Sequence, residues 1–358
     1  MNISVVIPAY NPDNKMVEFI DGLIEYGIED IIVVNDGSDK EYLEYFEQIK
    51  DRSQVTLLAH DENEGKGAAL KTAFSYLVQN RKDIDCAVCA DADGQHTVRS
   101  IDICLKKYEE NPGTVIIGGR DFSEGGIPLR SAFGNKVSSF IYRFAVGIRL
   151  KDTQSGLRVI PARYLELFSS LKGERYEYET QMLIAIANKK IPYIEVPIAT
   201  IYEKGNKSSH FRPVVDSVRI YLVVLKYFLK FALSSLSCYF VDMLIYAIIL
   251  FIIEGKVATG VQVLICAVSA RVVSSFCNYM INRKAVFKST DNVGGTTWRY
   301  YTLAVCQLAA SYLLIFLFTD VLNVQGAFQL IVKLIVDIVL FVFSYQIQRL
   351  WVFKNRKV

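Results

Sequence analysis

Two aspartates one residue apart, Asp91 and Asp93, carry the densest chemistry in the chain. They leave the apolar run Ile84–Ala90 in the stretch Asp91-Ala92-Asp93-Gly94-Gln95, so both carboxylates sit on a turn at the end of a buried strand. Carboxylates at i and i+2 on such a turn can aim oxygens at one hard cation, Mg²⁺ or Mn²⁺, which completes its shell with phosphate oxygens and water. D-x-D is also a common turn sequence; its place at a strand end, with Gln95 behind it, favours the metal. Lys66 is a second anion-handling element, in Glu64-Gly65-Lys66-Gly67-Ala68-Ala69. It opens a helix whose first N–H groups have no partner within the helix, and its ammonium adds a point charge. The rest of a P-loop is missing, so this is not one.

The elements that position these residues follow from periodicity. Four β-branched runs, Ile3–Pro8, Asp30–Asn35, Val55–Ala59 and Ile84–Ala90, alternate with helical patterns near Asp13–Tyr26, Lys40–Lys50 and Lys66–Gln79. Alternation of this kind predicts an α/β domain with a mainly parallel sheet, helices on both faces and ligands at the carboxyl ends of the strands. Those ends are Pro8-Ala9-Tyr10-Asn11, Asn35-Asp36-Gly37-Ser38 and Asp91–Gln95, which places polar residues along one edge.

The set PAYN, VVNDGSD, NEGKGAAL and DADGQH, in this order, resembles the family 2 inverting glycosyltransferases of the GT-A (Rossmann-like) fold. Within them the chain looks most like the polyprenyl-phosphate branch, typified by dolichol-phosphate mannose synthase, over Ile3 to Pro213. The resemblance implies a nucleotide-sugar site made of Pro8, Ala9, Tyr10, Asn11, Asp36, Lys66, Asp91, Ala92 and Asp93. In it Pro8, Tyr10 and Asp36 hold base and ribose, and Asp91, Asp93 and Gln95 manage metal and diphosphate. Gly118-Gly119-Arg120, Ile127–Arg130 and Gly134-Asn135 resemble the family's acceptor region, and Asp152–Arg158 its D-x-x-S-G-x-R stretch. Acceptor-phosphate contacts are accordingly expected at Arg120, Arg130, Ser131, Asn135 and Lys207, because guanidinium matches phosphate geometry. Arg120 and Arg130 join Asp91 and Asp93 as the expected catalytic residues; solvated surface arginines are the alternative.

Glycosyltransferases that attack with a sugar hydroxyl need a general base, often an acidic pair in this part of the chain. The Glu-Asp pair expected there is missing; Glu177 and Glu179 open a helix, where either serves as a base or caps it. A phosphate monoester, with a second pKa of about 6, is already largely anionic and needs positive guides more than a base. The stretch Tyr202–His210 resembles the family's R-x-x-G-x-S-K loop, with Lys204 for arginine and Ser208-Ser209-His210 for Ser-Lys.

The other half of the chain has different physics. Hydrophobic residues make up 52% of the whole, and from Phe228 onward long apolar runs dominate. Residues 211–230 read as an interfacial amphipathic helix, with Arg212, Arg219, Lys226 and Lys230 on one face. Residues 1–210 form the catalytic domain and 231–350 an all-α membrane domain. Four spans of about 20 apolar residues, enough for a bilayer core of roughly 30 Å, are expected near 231–253, 260–281, 300–320 and 326–348. Cations collect in one loop (Arg283, Lys284, Lys288, Arg299) and in the tail (Arg349, Lys354, Arg356, Lys357), which predicts both on the cytoplasmic side with the first domain. The N-terminus shows no signal-peptide pattern. Tyr279-…-Arg283-…-Val286-Phe287-Lys288 returns 66 residues later as Tyr345-…-Arg349-…-Val352-Phe353-Lys354, a duplicated hairpin. These ends resemble the GtrA-like four-helix membrane proteins, whose proposed role is moving or presenting lipid-linked sugars. Asp242, Arg271, Lys333 and Asp337 lie within the spans and are expected to be paired or to face a polar path.

A net charge of +3 argues against nucleic acid, and the seven cysteines form no disulfide framework. Cys86 and Cys89 form a C-x-x-C inside a strand, where packing is expected rather than redox chemistry. The expected reaction is metal-dependent, inverting transfer of one sugar from UDP-glucose or another UDP-hexose, with GDP-mannose next, to an undecaprenyl or dolichyl phosphate at the cytoplasmic membrane face. Membrane lipids are expected partners, and a homo-oligomer is left open. A processive polysaccharide synthase and a lipid-linked sugar flippase are the alternatives. The Q-x-x-R-W motif of the former is out of register here, in Gln346–Trp351.

Overall fold

A computed structural model describes residues 1–120, 129–199, 213–253, 256–318 and 327–354. The chain divides into two compact units, Met1–Leu225 and Lys226–Val358.

The first unit is an α/β domain. Its elements are β1 (Ile3–Ala9), α1 (Asn14–Tyr26), β2 (Asp30–Asp36), α2 (Leu43–Glu47), β3 (Val55–His60), α3 (Lys66–Asn80), β4 (Cys86–Cys89), α4 (Val98–Glu110), β5 (Val115–Arg120), α5 (Leu129–Ala145), β6 (Arg158–Pro161), α6 (Leu165–Ser169), α7 (Glu177–Lys189) and β7 (Tyr193–Ile198). The strands form one sheet in the order β3-β2-β1-β4-β6-β5-β7. Every pairing is parallel except the two made by β6. The carboxyl ends of β1, β2, β4 and β5 thus share one edge, and β6, running the other way, begins at that edge. Side chains alternate along the strands: Val5 and Ile7 join the core with α1 and α4, whereas Val6 joins the core with α3, α6 and α7. α1 begins at the capping carboxylate of Asp13, which accepts from Lys15 N, and ends at Gly27 with φ of 100°.

A short contact locks α3 to α7. A Cβ at Gly67 would lie 2.4 Å from Tyr178 Cβ and 2.9 Å from the Arg175 carbonyl oxygen. The N–H of Ala68 donates to the Glu174 carbonyl at 2.9 Å. The starts of both helices are held side by side by backbone and small residues.

α8 (Pro213–Ile253) is one helix of 41 residues. The unit boundary, after Leu225, falls within it. α9 (Thr259–Ile281), α10 (Val293–Phe316) and α11 (Ala327–Ile347) follow. Among the described residues three helices are long and apolar enough to cross a membrane: Ser217–Ile253, Thr259–Val286 and Phe328–Val352. α10 lies on the third expected span and is not one of those three.

The 66-residue repeat is visible as geometry. α9 and α11 each run into a π-helical turn, at Asn282–Val286 and Gln348–Val352. Asn282 Nδ2 donates to Gln348 Oε1, its own repeat mate, at 3.2 Å, and Phe287 stacks on its mate Phe353 at 5.2 Å. Tyr279 meets Phe353 at 6.1 Å while Tyr345 meets Phe287 at 5.9 Å. Reciprocal contacts of this kind define a pseudo-two-fold between hairpins of like orientation. Within this unit Asp242 accepts from Ser274 Oγ at 2.7 Å and lies 3.8 Å from Arg271 Nε, and Lys333 pairs with Asp337 at 2.5 Å. The intramembrane charges are therefore paired, as buried or lipid-facing ions require.

Gly67→Ala overpacks the α3–α7 contact and lowers stability by about 1–3 kcal/mol. Gly134→Ala, with open space at its Cβ within α5, is expected to gain roughly 0.5–1 kcal/mol. Thermal unfolding of the detergent-solubilised protein compares the two.

Candidate active site

β4 ends at Cys89, and the N–H of Ala90 donates to the Val6 carbonyl at 3.0 Å, which delivers Asp91 to the sheet edge. There Lys66 Nζ lies 2.6 Å from Asp91 Oδ1 and 3.0 Å from Glu179 Oε1. His96 Nε2 lies 3.6 Å from Asp91 Oδ2. Lys66 is the first residue of α3, and Glu179 stands in the first turn of α7, so the locked helix starts bring them together. The opposed β6 contributes from its upstream side. Arg158 pairs with Cys89 in the register, and a Cβ at Gly156 would lie 2.6 Å from Asp91 Oδ2. Only glycine leaves room for that carboxylate.

Electrostatics follow from the arrangement. Burial opposes charge on Lys66, but Asp91 and Glu179 outweigh it and hold the ammonium protonated above the ordinary lysine range. Burial likewise opposes ionisation of Asp91, and Lys66 with His96 overcomes it, keeping the carboxyl well below the usual range. Asp93 goes the other way, raised by burial and then by the charge of Asp91. Burial pushes the Cys86 and Cys89 thiols up to about 12, so this C-x-x-C is packing, as free buried cysteines.

These residues open into a cavity of about 690 Å³ within the first unit. Pro8, Ala9, Tyr10, Asn11, Asp36, Lys66, Asp91, Ala92, Asp93, Gln95 and Arg120, all expected from the sequence, line it. Asn11, with φ of 47°, exchanges two side-chain hydrogen bonds with Asp39, each 2.9 Å, and clamps the loops after β1 and β2 together. Asp36 is buried and accepts from His60 Nδ1 at 2.8 Å, Glu64 N at 3.0 Å and Gly65 N at 2.8 Å. Its carboxylate thereby shapes the turn leading into Lys66, a bracing role that its turn motif does not announce.

Arg120, at the end of β5, also lines the cavity. Its guanidinium grips the buried Asp152 in a fork, Nε to Oδ2 at 2.6 Å and Nη2 to Oδ1 at 3.1 Å. Glu195 of β7 accepts from the N–H groups of Lys151 and Asp152, both at 2.7 Å. A planar cation held this rigidly presents a fixed face. Ser138 of α5 and Tyr221 of α8 share a 2.8 Å hydrogen bond, Tyr142 and Thr180 one of 2.7 Å, and all four line the cavity with Ser217.

Asn135 does not line the cavity; it is buried and donates to the Lys151 carbonyl. Arg130 and Ser131 lie on α5, but their side chains, and Lys207 and His210 altogether, fall outside the described residues. Glu177 accepts from Glu174 N at 3.2 Å and so braces the turn that leads into α7, whereas Glu179 turns into the cavity. The sequence offered both glutamates without separating them. Ser217 and Tyr221 are four residues apart on a helix and so share a face, a pattern hidden among apolar neighbours.

Among the described residues no group of three or more His, Cys, Asp or Glu is placed to hold a metal ion. The donor set nevertheless fits Mg²⁺ or Mn²⁺. Asp91, Asp93 and Gln95 offer oxygens on one turn, Gln95 N bonds Asp93 Oδ1 at 3.0 Å, and the mutual repulsion of the two carboxylates calls for positive charge.

Comparison with known proteins identifies the family. Residues 4–167 match the model of glycosyl transferase family 2, and residues 230–353 that of the GtrA/DPMS transmembrane domain. The UDP-N-acetylglucosamine–dolichyl-phosphate N-acetylglucosaminyltransferase of Methanococcus voltae is 30% identical over 219 residues, covering 56% of this chain and 86% of that protein. The dolichyl-phosphate beta-glucosyltransferase of Saccharomyces cerevisiae is 26% identical over 246 residues, covering 61% and 71%. A solved structure of glucosyl-3-phosphoglycerate synthase from Mycobacterium tuberculosis aligns over 63% of this chain and 77% of that one, at 15% identity and a TM-score of 0.44. The chain is a membrane enzyme that belongs to the family 2 glycosyltransferases, with a GtrA/DPMS transmembrane domain joined to its catalytic domain.

Proposed function

We propose that this enzyme transfers a single sugar, with inversion, from a nucleotide sugar to a polyprenyl phosphate at the cytoplasmic face of a membrane. The observation that carries the reading is one cavity lined by two chemically distinct sets of groups. One is the carboxylates Asp91 and Asp93 with Lys66; the other is Arg120 and the hydroxyls of Ser138 and Tyr221. Ser217, which lines the cavity, is also the first residue of the membrane-length stretch Ser217–Ile253. UDP-glucose or another UDP-hexose is the favoured donor, in keeping with the named activities of the relatives, and GDP-mannose is second. Dolichyl phosphate, the acceptor in those relatives' names, is the favoured acceptor here, and undecaprenyl phosphate is the other candidate.

Asp91, Asp93 and Gln95 would hold Mg²⁺ or Mn²⁺, which would supply charge neutralisation for the departing nucleoside diphosphate. The loops clamped by Asn11 and Asp39 seat the nucleotide, with Pro8, Ala9, Tyr10, Asp36 and Ala92 around it. Arg120, with Arg130, Ser131 and Lys207 as further acceptor contacts, orients the acceptor phosphate. A phosphate oxygen attacks the anomeric carbon, and the bond from that carbon to the diphosphate oxygen breaks on the opposite side. The nucleophile is already ionised, so no general base is required. Glu179, ion-paired with Lys66, is not poised as one. The four helices of the second unit span the membrane, with the loop after α9 and the tail on the cytoplasmic side by their cation excess.

Purified full-length protein in detergent, given Mn²⁺ or Mg²⁺, a short polyprenyl phosphate and a panel of nucleotide sugars, is expected to add one hexose to the lipid by mass spectrometry. Longer chains would point to a processive synthase, and no product despite nucleotide binding to a carrier. Asp93→Ala is expected to lower turnover by roughly two to three orders of magnitude, a loss typical of removing one transition-state charge stabiliser, and chelation of the metal does the same. Tyr221→Phe raises KM for the polyprenyl phosphate about fivefold, the worth of one hydrogen bond, and leaves the donor KM unchanged. Equal changes in both constants would remove Tyr221 from the acceptor contacts.

A further inference from the structure

Lys66 sits where a simple phosphate ligand has no need to be. Its side chain, only 18% exposed, is shared between Asp91 and Glu179, carboxylates on two different elements. Asp91 sits on the turn after β4, whereas Glu179 is joined to Lys66 through the rigid contact of α3 and α7 at Gly67 and Tyr178. The second carboxylate is thus a permanent neighbour of the ammonium, and the first is one that other cations can take.

We infer that Lys66 is an exchangeable counter-ion, which neutralises Asp91 before a divalent cation binds and is then held beside the incoming diphosphate by Glu179, acting as a positioning residue. The inference rests on the metal-dependent reading above. Three carboxylates in a half-buried cavity repel one another strongly unless a cation lies among them. Lys66 supplies that cation from within the chain. A divalent ion that takes Asp91 releases an ammonium that cannot leave, because Glu179 keeps it at the head of α3, where the helix N-terminus also favours an anion. Metal and nucleoside diphosphate then bind cooperatively: the metal alone displaces Lys66 at a cost, and the diphosphate offsets it.

The test is free Mn²⁺ measured by electron paramagnetic resonance over full-length protein in detergent, first without nucleotide and then with UDP. The wild type is expected to bind Mn²⁺ weakly alone and more tightly with UDP. Lys66→Met should bind Mn²⁺ alone about tenfold more tightly and lose the coupling to UDP, because a competing charge within 3 Å of Asp91 is gone. Lys66→Arg, which keeps the charge, should stay near the wild type. Glu179→Gln should weaken Mn²⁺ binding several-fold by leaving Lys66 wholly to Asp91, and that effect should vanish in the Lys66→Met background. Unchanged or weaker Mn²⁺ binding by Lys66→Met, or an equal Glu179→Gln effect in both backgrounds, overturns the inference. Asp93→Ala separates the two levels. If it leaves Mn²⁺ binding with UDP intact, the metal reading itself fails; if it abolishes binding while Lys66→Met changes nothing, only the counter-ion fails.

Discussion

Three acidic side chains, Asp91, Asp93 and Glu179, line one cavity, and that arrangement depends on a lysine held among them. Without a cation, burial would drive such carboxyls towards protonation. The rest of the domain is organised to keep that lysine there. Gly67 lets the heads of α3 and α7 touch, Gly156 makes room for the Asp91 carboxylate, and Asp36 shapes the turn that leads into Lys66. Each is a small or buried residue whose effect on chemistry is indirect, through the position of one ammonium group.

The single reversed strand matters for the same reason. In an all-parallel sheet the residues preceding β6 would lie at the far edge. Because β6 pairs antiparallel with both β4 and β5, the stretch Asp152–Gly156 arrives at the ligand edge. From there Asp152 fixes Arg120 and Gly156 borders Asp91. One inversion of direction thus supports two groups that line the cavity and explains why a motif of the form D-x-x-S-G-x-R lies just ahead of a strand.

The membrane unit solves a different problem, the satisfaction of polar groups where water is scarce. Its answer is duplication. Repeat mates touch across a pseudo-two-fold at Asn282–Gln348 and Phe287–Phe353, and both hairpins end in the same π-helical turn. Asp242 lies near Arg271 and accepts from the Ser274 hydroxyl, and Lys333 pairs with Asp337.

Much of this was legible in one dimension. Strand and helix alternation, the cluster of polar residues at strand ends, the Asp91–Asp93 turn, the apolar second half and the 66-residue repeat are local or periodic, and backbone geometry imposes those periods on any chain that folds this way. Eleven residues expected in the nucleotide, metal and acceptor sites do line one cavity. What the sequence could not show were relations between distant residues: Lys66 with Glu179, 113 positions apart, Asn135 turned to the Lys151 carbonyl, and Tyr221 meeting Ser138. Nor could it divide labour between Glu177, which braces the turn ahead of α7, and Glu179, which enters the cavity. Such pairings depend on which strand reverses and which helices pack, and those choices are made by summed side-chain packing over the whole domain rather than by any local propensity.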